Sequence, residues 1–143
     1  MSFTHPNGVY SETDELGRLS YVHLPDVKII NGKHAKRNGL AQRTAGWEDR
    51  LPGDNGGHMI AHTFGGSPDI DNMVAQNAWS NQHGDWRKLE RDITKEVKKG
   101  SSVDYEININ YDGDSFRPSS FDTRYTVNGT EVRRKNIANE ANY

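Results

Sequence analysis

The hydrophobic period of the chain changes at one point, from a helical repeat to strict alternation, and this change most constrains the fold. From residue 85 to 99 the apolar residues fall on one helical stripe, formed by Trp86, Leu89, Ile93 and Val97. Directly afterwards every second residue is apolar, through Val103, Tyr105, Ile107, Ile109 and Tyr111. The first pattern predicts an amphipathic helix that begins near Asp85 and ends before Gly100. The second predicts a half-buried strand, so helix and sheet share one core.

Further alternation and turn signals predict more antiparallel strands. Residues 121–127 alternate again, and the turn Asn128-Gly129 leads into a strand over 130–133, which completes a β-meander. Near the N-terminus, residues 9–14 and 18–24 predict a hairpin around a turn at 15–17. A short helix is expected over 35–43. The ends, residues 1–7 and 135–143, are expected to be loosely ordered.

Length and composition exclude several classes of protein. A chain of 143 residues suits a single domain, residues 1–143, with one modest core. The absence of cysteine excludes disulfide scaffolds, cysteine-based zinc sites and thiol chemistry. No apolar run approaches the roughly 18 residues that a membrane span needs, so we expect no membrane partner. The first residues lack the basic and apolar stretches of a signal peptide.

Charge at first argues against nucleic acid as a partner. The chain has 18 Lys and Arg residues against 20 Asp and Glu residues, a formal net charge of −2. Proteins that bind polyphosphates usually carry an excess of basic residues. Motifs for nucleotide cofactors, zinc proteases and serine hydrolases are also missing, since the sequence has no P-loop, GxGxxG, HExxH or GxSxG pattern.

His58 is the first residue that points to catalysis. It follows Gly56 and Gly57 and precedes the apolar pair Met59-Ile60. Glycines allow a bulky polyanion to approach the imidazole, and a histidine can accept a proton from water near neutral pH. The alternative for this residue alone is a surface histidine in a turn.

A segment rich in carboxamides points to a metal ion. It extends from Asn72 to Asn81 and is followed by Glu90 on the predicted helix. Amide and carboxylate oxygens suit a hard cation that keeps most of its waters, as Mg²⁺ does. The alternatives are a turn asparagine for Asn81 and a solvated helix residue for Glu90.

Three motifs in this order resemble those of a known family. They are DNGGHMIAHTFGG at 54–66, DNMVAQNAWSNQ at 71–82 and WRKLE at 86–90. They resemble the DNA/RNA non-specific endonucleases of the ββα-metal (His-Me finger) superfamily, most closely the C-terminal nuclease modules of bacterial polymorphic and contact-dependent inhibition toxins. The resemblance covers residues 8–134, including Gly17-Arg18 and the segment 117–121. It implies an α+β fold in which an antiparallel sheet accompanies a long helix that carries metal-site residues.

The resemblance also implies a role for individual residues. His58 would be the general base, and Asn81 the direct ligand of one Mg²⁺ ion, with Mn²⁺ as an alternative. Glu90 would hold the water shell of the metal, and Asn72 would orient the site. From the residues themselves, contacts to the substrate are expected from His62, Arg87 and Arg117, with further phosphate contacts from Lys88, Arg91 and the run 133–135. The alternatives are a metal ligand for His62 and a solvated helix face and tail for the basic residues of 87–91 and 133–135.

Two departures from the family pattern stay open at this point. Gly56 stands where the family has an arginine that steadies the phosphorus in the transition state, and Arg50, Arg87 or Arg117 would have to replace it. The segment between Asn81 and Trp86 is one residue longer than usual, which leaves a choice between Asn81 and Gln82 as the metal ligand.

The expected function is therefore a Mg²⁺-dependent, sequence-non-specific endonuclease that hydrolyses DNA and RNA. The resemblance places it as the toxin module of an interbacterial effector, delivered as part of a larger secreted protein and acting in the cytoplasm of the target cell. A cognate immunity protein is the expected partner. The rival hypotheses are a non-catalytic nucleic-acid-binding or immunity-type module, and a hydrolase of a smaller phosphate ester.

Overall fold

The computed structural model describes residues 1–30 and 38–140. These residues contain eight strands and three α-helices. The strands are β1 (Ser2–Thr4), β2 (Tyr10–Thr13), β3 (Leu19–Leu24), β4 (Asp54–His58), β5 (Met73–Asn77), β6 (Val103–Tyr111), β7 (Pro118–Val127) and β8 (Glu131–Ala138). The helices are α1 (Gly39–Thr44), α2 (Ala78–Gln82) and α3 (Asp85–Lys98), with short 3-10 turns at Trp47–Asp49, His62–Phe64 and Ile70–Asn72. Within the described residues, no helix has the length and apolarity that crossing a membrane requires.

The strands form one large antiparallel sheet and one separate hairpin. The sheet has the order β1-β2-β3-β6-β7-β8, and β4 pairs only with β5. The predicted N-terminal hairpin is confirmed as β2 and β3, and the predicted meander as β6, β7 and β8. Alternation along β6 places Val103, Tyr105 and Ile107 in the core, with no exposed surface.

Helix α3 joins the sheet to the hairpin. Trp86 of α3 is fully buried and packs on Phe121 of β7, with 5.0 Å between the ring centroids. Val74 of β5 belongs to the same core. The apolar stripe predicted for this helix is therefore the face that packs against the sheet. This packing removes that face of the helix from water.

Parts of the two segments that were expected to be loosely ordered form strands, and residues 141–143 lie outside the described residues. β1 pairs with β2 within the expected loose segment 1–7. At the other end, β8 continues to Ala138, and Ile137 is only 1% exposed. The helix expected over 35–43 is present as α1 from Gly39 to Thr44, and residues 35–37 lie outside the described residues. That the 143 residues form a single domain stays a prediction.

Asn139 ties the end of β8 to the small hairpin. Its side chain is buried, and its Nδ2 group donates to the carbonyl oxygens of Ala75, at 2.9 Å, and Pro118, at 2.7 Å. Its Oδ1 atom accepts a hydrogen bond from the Asn77 amide at 2.8 Å. The carboxamide thus satisfies three backbone groups of the two sheets at once.

We predict that Asn139→Ala destabilises the protein, because it leaves these backbone groups buried and unpaired. The expected loss in the free energy of unfolding is about 2–4 kcal/mol, measured by urea denaturation. Asn136→Ala is the matched control, since Asn136 makes an exposed hydrogen bond to Asp122. Equal effects of the two substitutions would contradict the role of Asn139.

Candidate active site

The β4–β5 hairpin and the helices after it form a ββα unit. His58 pairs with Met73 across the hairpin, and Gly56 with Ala75. β5 leads directly into α2, where the Asn77 side chain accepts a hydrogen bond from the Ser80 amide at 3.2 Å. One continuous unit therefore carries the histidine, the amide-rich segment and helix α3.

A groove of about 490 Å³ brings the predicted catalytic histidine to the predicted metal ligand. Its lining comes from the three parts of the chain near α1, on β4 and on α2, and consists of Gln42, Arg43, Arg50, Asn55, Gly56, His58, Asn81 and Gln82. His58 and Asn81 thus face the same groove. Gln82 lines it too, so the geometry leaves both amides available as ligands.

Asn72 fixes the chain where it leaves β4. Its carboxamide is buried, accepts a hydrogen bond from the Ile60 amide at 3.0 Å and donates to the Ile60 carbonyl at 2.9 Å. It also donates to the carbonyl of Ser67 at 2.8 Å. Because Ile60 is two residues after His58, Asn72 restricts the backbone that presents the imidazole.

Close packing requires glycine at both positions before His58. A Cβ atom on Gly56 would lie 2.5 Å from the backbone of Gln42 in α1. On Gly57 it would lie 2.0 Å from Oε1 of Gln76. Helix α1 therefore occupies the space that the arginine of the family motif would need, which explains the departure at Gly56.

Arg50 is the one of the three candidate replacement arginines that lines the groove. Its guanidinium donates to the carbonyl oxygen of Gln42 through Nη1, and to that of Asp54 through Nη2 at 3.0 Å. Two backbone carbonyls on either side thus orient a charged group beside His58.

Arg117, one of the expected substrate contacts, is paired with a carboxylate of the fold. Its Nε and Nη2 atoms donate to the two carboxylate oxygens of Asp54, at 2.8 and 3.0 Å, and Nη2 also donates to the Asn139 carbonyl at 2.9 Å. The side chain of Asp54 is 1% exposed. Arg117 is also absent from the residues that line the groove, so its contact with substrate stays a prediction that this geometry does not favour.

The other predicted contacts lie outside the groove lining. His62 begins the 3-10 turn after β4, and Arg87 is exposed on α3. Arg87 also acts on the neighbouring Glu90, because its positive charge lowers the pKa of that carboxyl group. Their roles in binding substrate stay predictions.

Glu90 is a partly buried carboxyl group on α3. Burial raises its pKa from the usual 4.5 to about 7, and the charge of Arg87 opposes this only in part. Tyr105 of β6 lies close enough for the charge of Glu90 to raise the pKa of its hydroxyl further. A carboxylate that is costly to ionise fits a position where a cation compensates its charge. The amide oxygens of the groove suit Mg²⁺. Glu90 is not among the residues that line the groove, so its position beside Asn81 and Gln82 at a metal ion stays a prediction.

A second group of metal-ligating side chains lies on the large sheet. His23 of β3, with Asp104 and Glu106 of β6, has one ligand atom of each residue within 4.8 Å of the others. The Nε2 atom of His23 is 2.9 Å from Asp104. The sequence reasoning missed this group, although two of its members alternate with the buried residues of β6. None of the three lines the groove.

Comparison with known proteins places the chain in a family. The model of the DNA/RNA non-specific endonuclease family matches residues 2–129. The chain belongs to this family. The predicted resemblance and the expected class of enzyme, a DNA/RNA endonuclease, are thereby confirmed.

Solved structures of nucleases confirm the fold. NucA from Streptococcus agalactiae, with magnesium bound, aligns with a TM-score of 0.74 at 20% identity, over 98% of this chain and 71% of its own. The Sda1 nuclease, with zinc bound, aligns with a TM-score of 0.74 at 14% identity, over 92% of this chain and 74% of its own. The expected α+β architecture is therefore shared with ββα-metal nucleases.

One curated relative is similar in sequence as well. The type VII secretion system protein EssD of Staphylococcus aureus (strain USA300) is 40% identical over 140 residues. The match covers 94% of this chain and 22% of EssD. The chain thus spans about a fifth of the length of that relative.

We predict that the metal-free endonuclease domain loses stability as the pH rises through 7 because Glu90 must ionise. The folded-state pKa lies above the usual value, so the contribution of the protonated carboxyl is full below about pH 4.5 and is lost above about pH 7. Glu90→Gln should therefore be more stable than the wild type at pH 8, by up to about 3 kcal/mol, and similar to it at pH 4.5.

Urea denaturation in EDTA at both pH values tests this prediction. Glu15→Gln, in the exposed hairpin turn, is the control and should follow the wild type. If Glu90→Gln shows the same pH dependence as the wild type, the carboxyl group is not the source of the effect.

Proposed function

We propose that this domain is a Mg²⁺-dependent endonuclease that hydrolyses DNA and RNA without reading their sequence. The observation that carries the proposal is the convergence of His58 and Asn81 on one groove, from two parts of a ββα unit. A non-catalytic binding module gives no reason for a proton acceptor and amide oxygens to meet in this way.

His58 acts as the general base. Its imidazole takes a proton from a water molecule, whose oxygen attacks the phosphorus in line with the 3′ oxygen. The bond from phosphorus to the 3′ oxygen breaks, the leaving oxygen is protonated by solvent, and the products carry a 5′-phosphate and a 3′-hydroxyl. Because water and not a 2′-hydroxyl is the nucleophile, both DNA and RNA are substrates.

Asn81 and Glu90 would hold the metal ion, with Gln82 as the alternative to Asn81. When bound there, Mg²⁺ supplies Lewis-acid stabilisation of the negative charge that develops on the phosphate oxygens. Asn72 acts as a positioning residue through the backbone of Ile60. Phosphate contacts from exposed Arg and Lys side chains, Arg87 and Lys88 among them, should make binding sensitive to salt.

Arg50 takes the role of the arginine that the family places two residues before the histidine. It lines the groove with His58, and its guanidinium is oriented by the carbonyls of Gln42 and Asp54. A cation fixed in this way stabilises charge that builds up at the phosphorus without having to reorganise during the reaction.

The domain would act as the toxin part of a larger secreted protein. The similarity to a type VII secretion system protein, of which it matches 22%, supports delivery by a secretion system. Contact-dependent inhibition is the alternative route. In the target cytoplasm the domain would degrade nucleic acid, and a cognate immunity protein would protect the producing cell.

We predict that plasmid cleavage requires both a divalent metal and His58. EDTA should abolish the activity, Mg²⁺ should restore it, and His58→Ala should lower the rate at least about 10²- to 10⁴-fold.

Asn81→Ala should raise the Mg²⁺ concentration that gives half of the maximal rate, and a larger rise for Gln82→Ala would identify Gln82 as the ligand instead.

Asp104→Asn serves as the control, because Asp104 belongs to the second group of ligating residues and not to the groove. It should leave the rate and the Mg²⁺ dependence unchanged. Cleavage by His58→Ala at the wild-type rate would disprove the mechanism. Metal dependence that follows Asp104 would move the metal centre to the large sheet.

We predict that Arg50→Ala lowers kcat and kcat/KM about equally, by roughly 10²- to 10³-fold, because the guanidinium acts on the transition state. Arg43→Ala, which changes a second arginine of the same groove, should raise KM instead. Arg50→Lys should recover part of the lost rate. Steady-state cleavage of a fluorogenic oligonucleotide gives these constants, and a pure KM effect in Arg50→Ala would contradict the proposal.

A further inference from the structure

A second concavity, of about 280 Å³, lies beside the candidate active site and is lined largely by apolar groups. Its wall includes four large apolar side chains that are 37–70% exposed, namely Phe3, Trp47, Ile70 and Phe116. Polar groups are present as well, among them His5 and Asp71, whose side chains approach each other to 3.6 Å. We refer to this concavity as the Trp47 pocket.

Trp47 is held in an unfavourable backbone conformation. Its φ angle is +48°, in the left-handed region that bulky residues rarely adopt, and its side chain is 70% exposed. Because the indole is mostly exposed, its burial does not offset the energetic cost of this backbone conformation. Backbone strain of this kind persists where the surroundings enforce it, and it is concentrated at functional sites.

The surroundings of Trp47 fix the turn on both sides. Gly46 before it packs against β5 so closely that a Cβ atom would lie 2.4 Å from Cβ of Ala75. Asp49 after it accepts a hydrogen bond from the amide of Phe116 at 2.7 Å. The turn thus holds the indole and the Phe116 segment at one pocket.

The Trp47 pocket and the groove share their walls. Between Gln42 and Arg50 the chain lines the groove with Gln42, Arg43 and Arg50, and the pocket with Ala45, Gly46 and Trp47. On the hairpin, Met73 of the pocket is the direct partner of His58 in the ladder. The pocket and the groove are therefore neighbours, lined by adjacent residues of the same loop and of the same hairpin.

We propose that the Trp47 pocket binds an unpaired base of the nucleic-acid substrate, with the indole of Trp47 as the stacking surface. The proposal rests on the endonuclease function, because the phosphate in the groove positions the base. Every base has an aromatic face that stacks on an indole irrespective of its identity, so such a pocket agrees with sequence-independent cleavage. A base within a duplex has both faces covered, so single-stranded or locally opened substrates gain this contact and intact duplexes do not.

Binding to the inactive variant His58→Ala tests the pocket separately from catalysis. A labelled oligothymidine and a blunt duplex of the same length are titrated by fluorescence anisotropy, with and without Trp47→Gly. Glycine removes the ring and tolerates the φ angle, so the folded state should be retained, with an unchanged or higher Tm. Trp47→Phe keeps a stacking ring, and Val132→Ala removes an exposed apolar side chain on β8 as a control.

Trp47→Gly should weaken the binding of oligothymidine about 5- to 150-fold and that of the duplex less than about twofold. Trp47→Phe should recover most of the affinity, and Val132→Ala should change neither ligand. Equal weakening of both ligands, or none, would overturn the proposal. If Trp47→Gly lowers the Tm, Trp47→Asn, whose backbone also accepts a positive φ, decides the outcome by the same criteria.

Failure of the proposed function would look different. His58→Ala would then still cleave plasmid DNA at the wild-type rate, whatever the affinities of the Trp47 variants. With an intact His58, Trp47→Gly should cleave denatured plasmid more slowly than the wild type and duplex plasmid at a similar rate.

Discussion

The buried ion pair between Asp54 and Arg117 fixes the active-site hairpin to the large sheet. Asp54 begins β4, and Arg117 immediately precedes β7. The carboxylate accepts two hydrogen bonds from the guanidinium and one from the Leu51 amide, so its loss of solvation is compensated. Removal of either charge would leave the other buried without a partner, which costs far more than the intact pair contributes. The ion pair therefore fixes the position of the start of β4, and through the strand it restricts the position of His58 at the other end.

Close packing between α1 and β4 decides how the site obtains a positive charge. The backbone of Gln42 fills the space beside Gly56 and excludes a side chain there. The carbonyl of the same residue accepts a hydrogen bond from Arg50, whose guanidinium lines the groove. Gln42 thus leaves no room for an arginine at position 56 of β4, and it orients Arg50 on the loop after α1. Under the proposed role of Arg50, the positive charge at the phosphorus would come from a different point in the sequence.

Local periodicity predicted the elements whose burial is one-sided, such as α3 and β6. It did not predict β4, whose sequence Asp-Asn-Gly-Gly-His has neither alternation nor β-branched residues. The two glycines are required by close packing against Gln42 and Gln76, which are distant in the sequence. The resemblance to the family identified His58 and Asn81, which the structure brings to one groove. It could not separate Arg50 from Arg117, since the partner of Arg117 lies 63 residues away in the chain. Residues 135–139 were expected to be loosely ordered because Ile137 and Asn139 form no pattern of their own.

The net charge of −2 does not describe the surface that meets the substrate. Among the described residues that line the groove there are two arginines and no carboxylate. Elsewhere, some acidic groups are paired with cations, as Asp54 is with Arg117 and Asp14 with Arg18 at 2.8 Å. Charges paired in this way contribute little to the field at a distance, whereas Arg43 and Arg50 face the groove directly. A polyanion therefore meets a locally positive surface on a weakly acidic protein, and a bound divalent cation would strengthen it.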